Sequence, residues 1–302
     1  MLLEDQNKAF EQGDYKILSR SISLIENESR GYEDLLMQLK PSSAKIIGIT
    51  GAPGAGKSSL TDSLIGEMIR DKKRVGVLCV DPSSPFNKGA LLGDRIRMSE
   101  WYNHPDVFIR SLASRGSLGG LHPKIIEIAD LMKSSGFDYI IIETVGVGQS
   151  EVDIAGLADI TVVMLVPEGG DVIQTMKAGL MEVADIFVIN KYDRPGADTF
   201  YNNLKKMLHP GFNAPAQNIP VLKTVASAKK GIPELYVMIK KWEFDLGTEK
   251  KLDLLTHKIW MIIQHQKMKK IDKEKMKKEI SEELKKGSFN MYLFAKKYKL
   301  RE

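Results

Sequence analysis

The chain has 302 residues, 43% hydrophobic and 27% charged, with a net charge of +5 and one cysteine, Cys79, in an apolar run. One cysteine excludes a disulfide framework and a Cys-rich metal site, and it suits a reducing compartment. No stretch approaches the roughly 20 apolar residues that cross a bilayer, and Met1-Leu2-Leu3-Glu4-Asp5 lacks the basic-then-apolar order of a signal peptide; a cytoplasmic protein without a membrane partner is expected.

Residues 1–40 carry apolar side chains at helical spacing, among them Ile17, Leu18, Ile22, Ile25, Leu35, Leu36 and Leu39. They read as an N-terminal helical extension of two or three short helices stopped by Pro41. From 41 to 245 the pattern changes. Short apolar runs recur, each followed by a loop and a helical stretch: Lys45–Thr50, Arg74–Val80, Val107–Arg110, Tyr139–Glu143, Ile160–Val166, Ile186–Asn190 and Val221–Val225. Such runs, apolar on both faces and separated by helices, predict an α/β domain with a mostly parallel, doubly wound sheet. Ligands then bind along the C-terminal edge of the strands. After Gly231 the chain reads as helical to its end, with a break at Lys286-Gly287-Ser288, and 246–302 forms a basic helical extension. From Glu249 to Glu302 there are sixteen Lys or Arg and eight Asp or Glu, a net of +8 that leaves about −3 for the rest. These basic residues alternate with acidic and periodic apolar positions and lack interleaved aromatics, the pattern of a solvated helix face; no nucleic-acid partner is expected.

Gly51-Ala52-Pro53-Gly54-Ala55-Gly56-Lys57-Ser58 fits G-x-x-x-x-G-K-[ST], follows an apolar run and opens the helical pattern Ser59–Arg70. The glycines let backbone N–H groups turn inward around phosphate oxygens, and the helix N-terminus adds partial positive charge. Lys57 contributes a full charge toward the β- and γ-phosphates, and the Ser58 hydroxyl is a ligand for Mg²⁺. Ser59 completes the phosphate-contacting stretch.

Asn190-Lys191-Tyr192-Asp193 follows a later apolar run. An ionised aspartate only accepts hydrogen bonds, and guanine offers two adjacent donors where adenine presents an unprotonated ring nitrogen. Asp193 therefore favours GTP or GDP over the adenine nucleotides. The stem of Lys191 can cover one face of the base. Asn190 can tie this loop to the phosphate loop or to the base edge, and Ser227-Ala228-Lys229 can close over the guanine O6 with backbone N–H groups. Carboxylates for the metal region are Asp81 and Glu143 at run ends and Asp94 within Gly93-Asp94-Arg95. Gly146, in Glu143-Thr144-Val145-Gly146, can offer its N–H to a γ-phosphate, a contact available only in the triphosphate state. His104 and His122 are lone histidines that make no case for a cofactor or metal ligand.

The segments Gly51–Ser58, Val80–Ser84, Leu92–Met98, Arg115–Gly120, Glu143-Thr144-Val145-Gly146-Val147-Gly148-Gln149-Ser150-Glu151 and Asn190–Asp193 occur in order. Together they resemble the MeaB/ArgK family, which includes the mitochondrial homologue MMAA. The resemblance runs from about residue 40 to 245. It implies a P-loop NTPase of the SIMIBI class of G domains and a GTPase that accompanies an adenosylcobalamin-dependent acyl-CoA mutase of the methylmalonyl-CoA mutase type, as chaperone and gatekeeper of cofactor loading. It also implies a homodimer, in which 246–302 is a dimerisation arm. It assigns Lys57, Ser58 and Mg²⁺ to the phosphates, Asp81, Asp94 and Glu143 to the metal region, and Asn190, Lys191 and Asp193 to the base. Glu143 would position the attacking water. Glu168 to Lys177 aligns with a further loop that relays nucleotide state to the mutase. Two other readings stand beside this one: a P-loop kinase, the label some relatives carry for arginine/ornithine transport, and a nucleotide-switched binding module in which turnover matters little.

Overall fold

The computed structural model describes residues 14–81, 98–114, 121–144, 146, 153–168, 179–208, 219–242, 249–269, 271–287 and 289–299, with backbone alone at 81, 249–251 and 299. Asp94, the side chain of Asp81, Arg115–Gly120, Val147–Glu151 and Gly169–Lys177 lie outside that description. The chain divides into two units, Met1–Leu246 and Gly247–Glu302.

In the first unit, helices α1 (Tyr15–Glu26) and α2 (Tyr32–Met37) precede the sheet. Asp14 caps α1, its carboxylate accepting from the N–H groups of Lys16 and Ile17. Then follow β1 (Lys45–Gly51), α3 (Lys57–Arg70), β2 (Val75–Asp81), β3 (Val107–Ala113), α4 (Ile125–Ser134), β4 (Tyr139–Glu143) and β5 (Ile160–Leu165). After these come α5 (Leu180–Val183), β6 (Ile186–Ile189), α6 (Ala197–Leu208), β7 (Val221–Lys223) and α7 (Ile232–Lys241).

The seven strands form one sheet in the order β3-β2-β4-β1-β5-β6-β7, and every neighbouring pair is parallel. The strands are apolar on both faces because both faces are covered. On one face, Leu60, Leu64, Ile65 and Met68 of α3 join Ile232, Leu235 and Ile239 of α7 in a buried cluster with Ile47, Ile49, Ile141, Val162 and Val188. A separate cluster joins Val163, Leu165, Phe187 and Ile189 to Leu180 of α5 and to Phe200 and Leu204 of α6. The expected doubly wound α/β layer is thus present.

Several boundaries differ from the sequence reading. Helix α3 begins at Lys57, two residues before Ser59, because Gly56 at φ 94° ends the preceding loop and lets Lys57 and Ser58 enter the first turn. Strand β3 runs on to Ala113, through polar Arg110 and Ser111, because its ladder with β2 continues to the Asp81–Ala113 pair. Strand β6 ends at Ile189, before Asn190, and β7 ends at Lys223, where Val225 turns to an antiparallel bridge with Lys230.

The second unit contains α8 (Glu249–Lys269), α9 (Lys273–Lys285) and α10 (Met291–Lys299). The break at 286–288 was expected; an additional one precedes α9, where the Asp272 carboxylate accepts from the N–H groups of Glu274 and Lys275. Among the described residues no helix is long and apolar enough to cross a membrane.

Candidate functional site

The site lies at the C-terminal ends of β1, β4 and β6, where short loops lead from strand to helix. Residues Gly51–Gly56 join β1 to α3. Lys57 is only 7% exposed, and its ammonium donates to the carbonyls of Gly51 (2.7 Å) and Ala52 (3.2 Å), so it lies against its own loop. A methyl group at Gly56 would strike the Asn190 side-chain nitrogen, and φ 94° is unfavourable for an L side chain.

The next residue of α3 reaches the neighbouring strand. Ser58 Oγ donates to Glu143 Oε1 at 2.7 Å, and Thr61 Oγ1 donates to Glu143 Oε2 at 3.1 Å. Glu143 ends β4, the strand beside β1, and is the register partner of Ile49. Just beyond it, the Thr144 hydroxyl donates to that of Thr50 (3.0 Å) and the Thr144 N–H to the Ile49 carbonyl (3.1 Å). Gly146, at φ 79°, lies against the phosphate loop: a methyl group there would collide with the Gly51 carbonyl and the Lys57 ammonium. Asp81 ends β2 opposite Ala113.

The second loop is tied to the first through one side chain. Asn190 is 3% exposed. Its Nδ2 donates to the Ala55 carbonyl at 2.8 Å, while its Oδ1 accepts from Thr224 Oγ1 (3.1 Å) and the Ala226 N–H (3.0 Å). Of the two roles left open for Asn190, the structure thus contains the tie to the phosphate loop. Lys191 adopts φ 55°, the Tyr192 N–H donates to the Thr224 carbonyl at 3.0 Å, and the Asp193 carboxylate is exposed. Asp193 is three residues from Asn190, a span of at most about 11 Å of chain.

Glu168, which follows β5, is ion-paired with Arg194 and lies 4.0 Å from the Lys191 ammonium. The Arg194 guanidinium holds the Glu168 carboxyl below the usual carboxylate range. Ser227, Ala228 and Lys229 lie in a tight turn whose Ala228 and Lys229 N–H groups donate to Val225 and Ala226 carbonyls. Those two N–H groups are therefore engaged within the turn.

The oxygen-only pairing of Ser58 with Glu143, both buried, fits a hard divalent cation that keeps waters and nucleotide oxygens in its shell. Among the described residues no group of three or more His, Cys, Asp or Glu could hold a metal ion alone. A magnesium ion shared with a nucleotide needs no such cage.

The sequence reading named Ser58, Glu143 and Asn190 but not Thr61, Thr50 or Thr224, which hold them or their neighbours, and it placed Glu168 in the relay loop and not beside Lys191 and Arg194. Thr61 was detectable, since it lies three residues after Ser58 on the same helix face. The other three depend on contacts between distant segments.

A parallel sheet with a lysine- and serine-bearing glycine loop at its central strand, and a carboxylate on the adjacent strand, defines a P-loop nucleoside triphosphatase. The family model for methylmalonyl-CoA mutase-associated GTPase MeaB matches residues 18–281, and the chain belongs to that family of GTPases. A Pyrococcus abyssi protein named as an inferred GTPase is 46% identical over 245 residues, covering 80% of this chain and 76% of that one. The fused isobutyryl-CoA mutase of Geobacillus kaustophilus is 35% identical over 241 residues, covering 75% of this chain and 22% of that much longer one. The crystal structure of an LAO/AO transport system kinase superposes with a TM-score of 0.60 at 23% identity, over 98% of this chain and 96% of the other, a likeness of fold.

Proposed function

We propose that the protein is a magnesium-dependent GTPase that acts as chaperone and gatekeeper for an adenosylcobalamin-dependent acyl-CoA mutase. The observation that carries the mutase reading is the fused isobutyryl-CoA mutase, a single chain of which 22% resembles this protein. Covalent joining of a GTPase segment to a mutase is what a functional partnership between separate chains would favour, because it raises the local concentration of each for the other. The separate chain would work as a homodimer in the cytoplasm.

In this reading, Lys57 exchanges the neutral carbonyls of Gly51 and Ala52 for the β- and γ-phosphate oxygens of GTP. Charge-assisted bonds are the stronger ones, so the exchange is favourable. Backbone N–H groups of the phosphate loop and of the first turn of α3 surround the same oxygens. Magnesium, when bound, neutralises charge on the phosphates. Ser58 supplies a hydroxyl toward it; Asp81 and Asp94 provide carboxylates, and Glu143 orients Ser58 and a water. Gly146 offers its N–H to the γ-phosphate. Asp193 accepts both donors of the guanine edge, Lys191 covers the ring, and the 227–229 turn closes beside it.

The test is single-turnover GTP hydrolysis by the full chain, alone and with the acyl-CoA mutase of the same organism. Slow hydrolysis alone and acceleration with the mutase are expected. Equal rates, with no complex by sedimentation, would overturn the mutase reading.

A further inference from the structure

The geometry points to Thr61 as a positioning residue for the magnesium site, acting through Glu143. This rests on the magnesium-dependent reading above. Thr61 is fully buried, in the second turn of α3. A helical threonine commonly bonds a carbonyl in the preceding turn. Here its hydroxyl instead crosses to β4 and donates to Glu143 Oε2 at 3.1 Å.

The same carboxylate accepts from Ser58 Oγ through its other oxygen, at 2.7 Å. The two donors lie one turn apart on one helix, so they grip the two oxygens of a single carboxylate and fix its plane. That arrangement sets the direction of the Ser58 proton. With the proton committed to Glu143, the lone pairs of Ser58 Oγ face away from the carboxylate. Thr61 is therefore the anchor that keeps Glu143 in place to orient Ser58. Partners of this kind typically change metal affinity by about 10–100-fold when removed.

Substitution separates the hydroxyl from the side chain's bulk. Thr61→Val keeps the shape and removes the donor; Thr61→Ser keeps the donor and removes a methyl group. The readout is release of a fluorescent GDP analogue from the full chain across a magnesium titration, with no turnover involved. The expected result is a half-saturating magnesium concentration raised about tenfold in T61V, restored to near wild type in T61S. Affinity for the analogue in EDTA should be unchanged in both, which also verifies that the variants fold. If T61V does not fold, Thr61→Ala makes the same deletion in less volume.

A magnesium-responsive wild type with an unshifted T61V would overturn this role for Thr61 alone. So would a T61S variant shifted as far as T61V, since the methyl group would then be what matters. A wild type whose GDP release ignores magnesium would overturn the magnesium reading, and the role of Thr61 with it.

Discussion

Asn190 uses both ends of its amide within the protein, and each end grips a different segment. Asn190→Ala would leave the buried Ala55 carbonyl and Ala226 N–H without that partner. A loss of about 2 kcal/mol is expected in denaturant unfolding, accompanied by weaker GDP binding. In the proposed reading Lys57 and Asp193 act at opposite ends of the nucleotide and should fail differently. Lys57→Ala should weaken GTP binding on the order of a hundredfold, because a buried charge partner of the phosphates is lost. Asp193→Asn should lower GDP affinity about tenfold or more and narrow the gap between GDP and ADP in competition; undiminished selectivity would refute its role. Glu168 is about half exposed, and its pairing with Arg194 and Lys191 is a surface one. Glu168→Gln should therefore leave the melting temperature nearly unchanged while freeing Lys191, a difference visible in nucleotide affinity alone.

At the scale of elements, the strands were legible wherever apolar residues filled both faces. Strand β4 was read at its observed limits because Tyr139–Glu143 is buried throughout and ends on a carboxylate, Glu143. Strand β3 was read short because Arg110 interrupts the apolar run; its guanidinium is held by Glu26 and Ser23, a contact no local pattern reveals. Helix α3 was read two residues short for the opposite reason, since the motif residues Lys57 and Ser58 are polar yet buried. The break before α9 was missed although Asp272 is a standard capping residue. Asp272→Ala should cost about 1 kcal/mol, read as reduced helicity and an earlier melt. Within α3, Leu64 is fully buried against the sheet. Leu64→Ala should cost roughly 2–5 kcal/mol in unfolding free energy, far more than the cap.

For the molecule as a whole, the alternation of short apolar runs with helical stretches was sufficient to read a parallel α/β layer. Strand order was beyond it. The sequence contains Glu143 some 85 residues after Ser58, and only the adjacency of β4 and β1 brings them together. Asn190 and the Ala226 N–H likewise meet because β6 and β7 are neighbours. All the residues assigned to the nucleotide belong to the first unit, which ends at Leu246. A chain truncated there is expected to retain GDP affinity and to lose whatever the basic helices contribute. Lost GDP binding in a folded truncated protein would show that the tail takes part in the site.

In the proposed reading the amide of Asn190 also makes the purine pocket and the anion cradle energetically dependent on each other. A fragment that orders one should prepare the other, so guanosine and inorganic pyrophosphate are expected to bind more tightly together than either does alone. Reciprocity fixes the size of the effect: whatever factor pyrophosphate lends to guanosine, guanosine must return to pyrophosphate. Intact GDP would then owe part of its affinity to cooperation between its two halves, and the Asn190→Ala protein should bind the fragments as strangers.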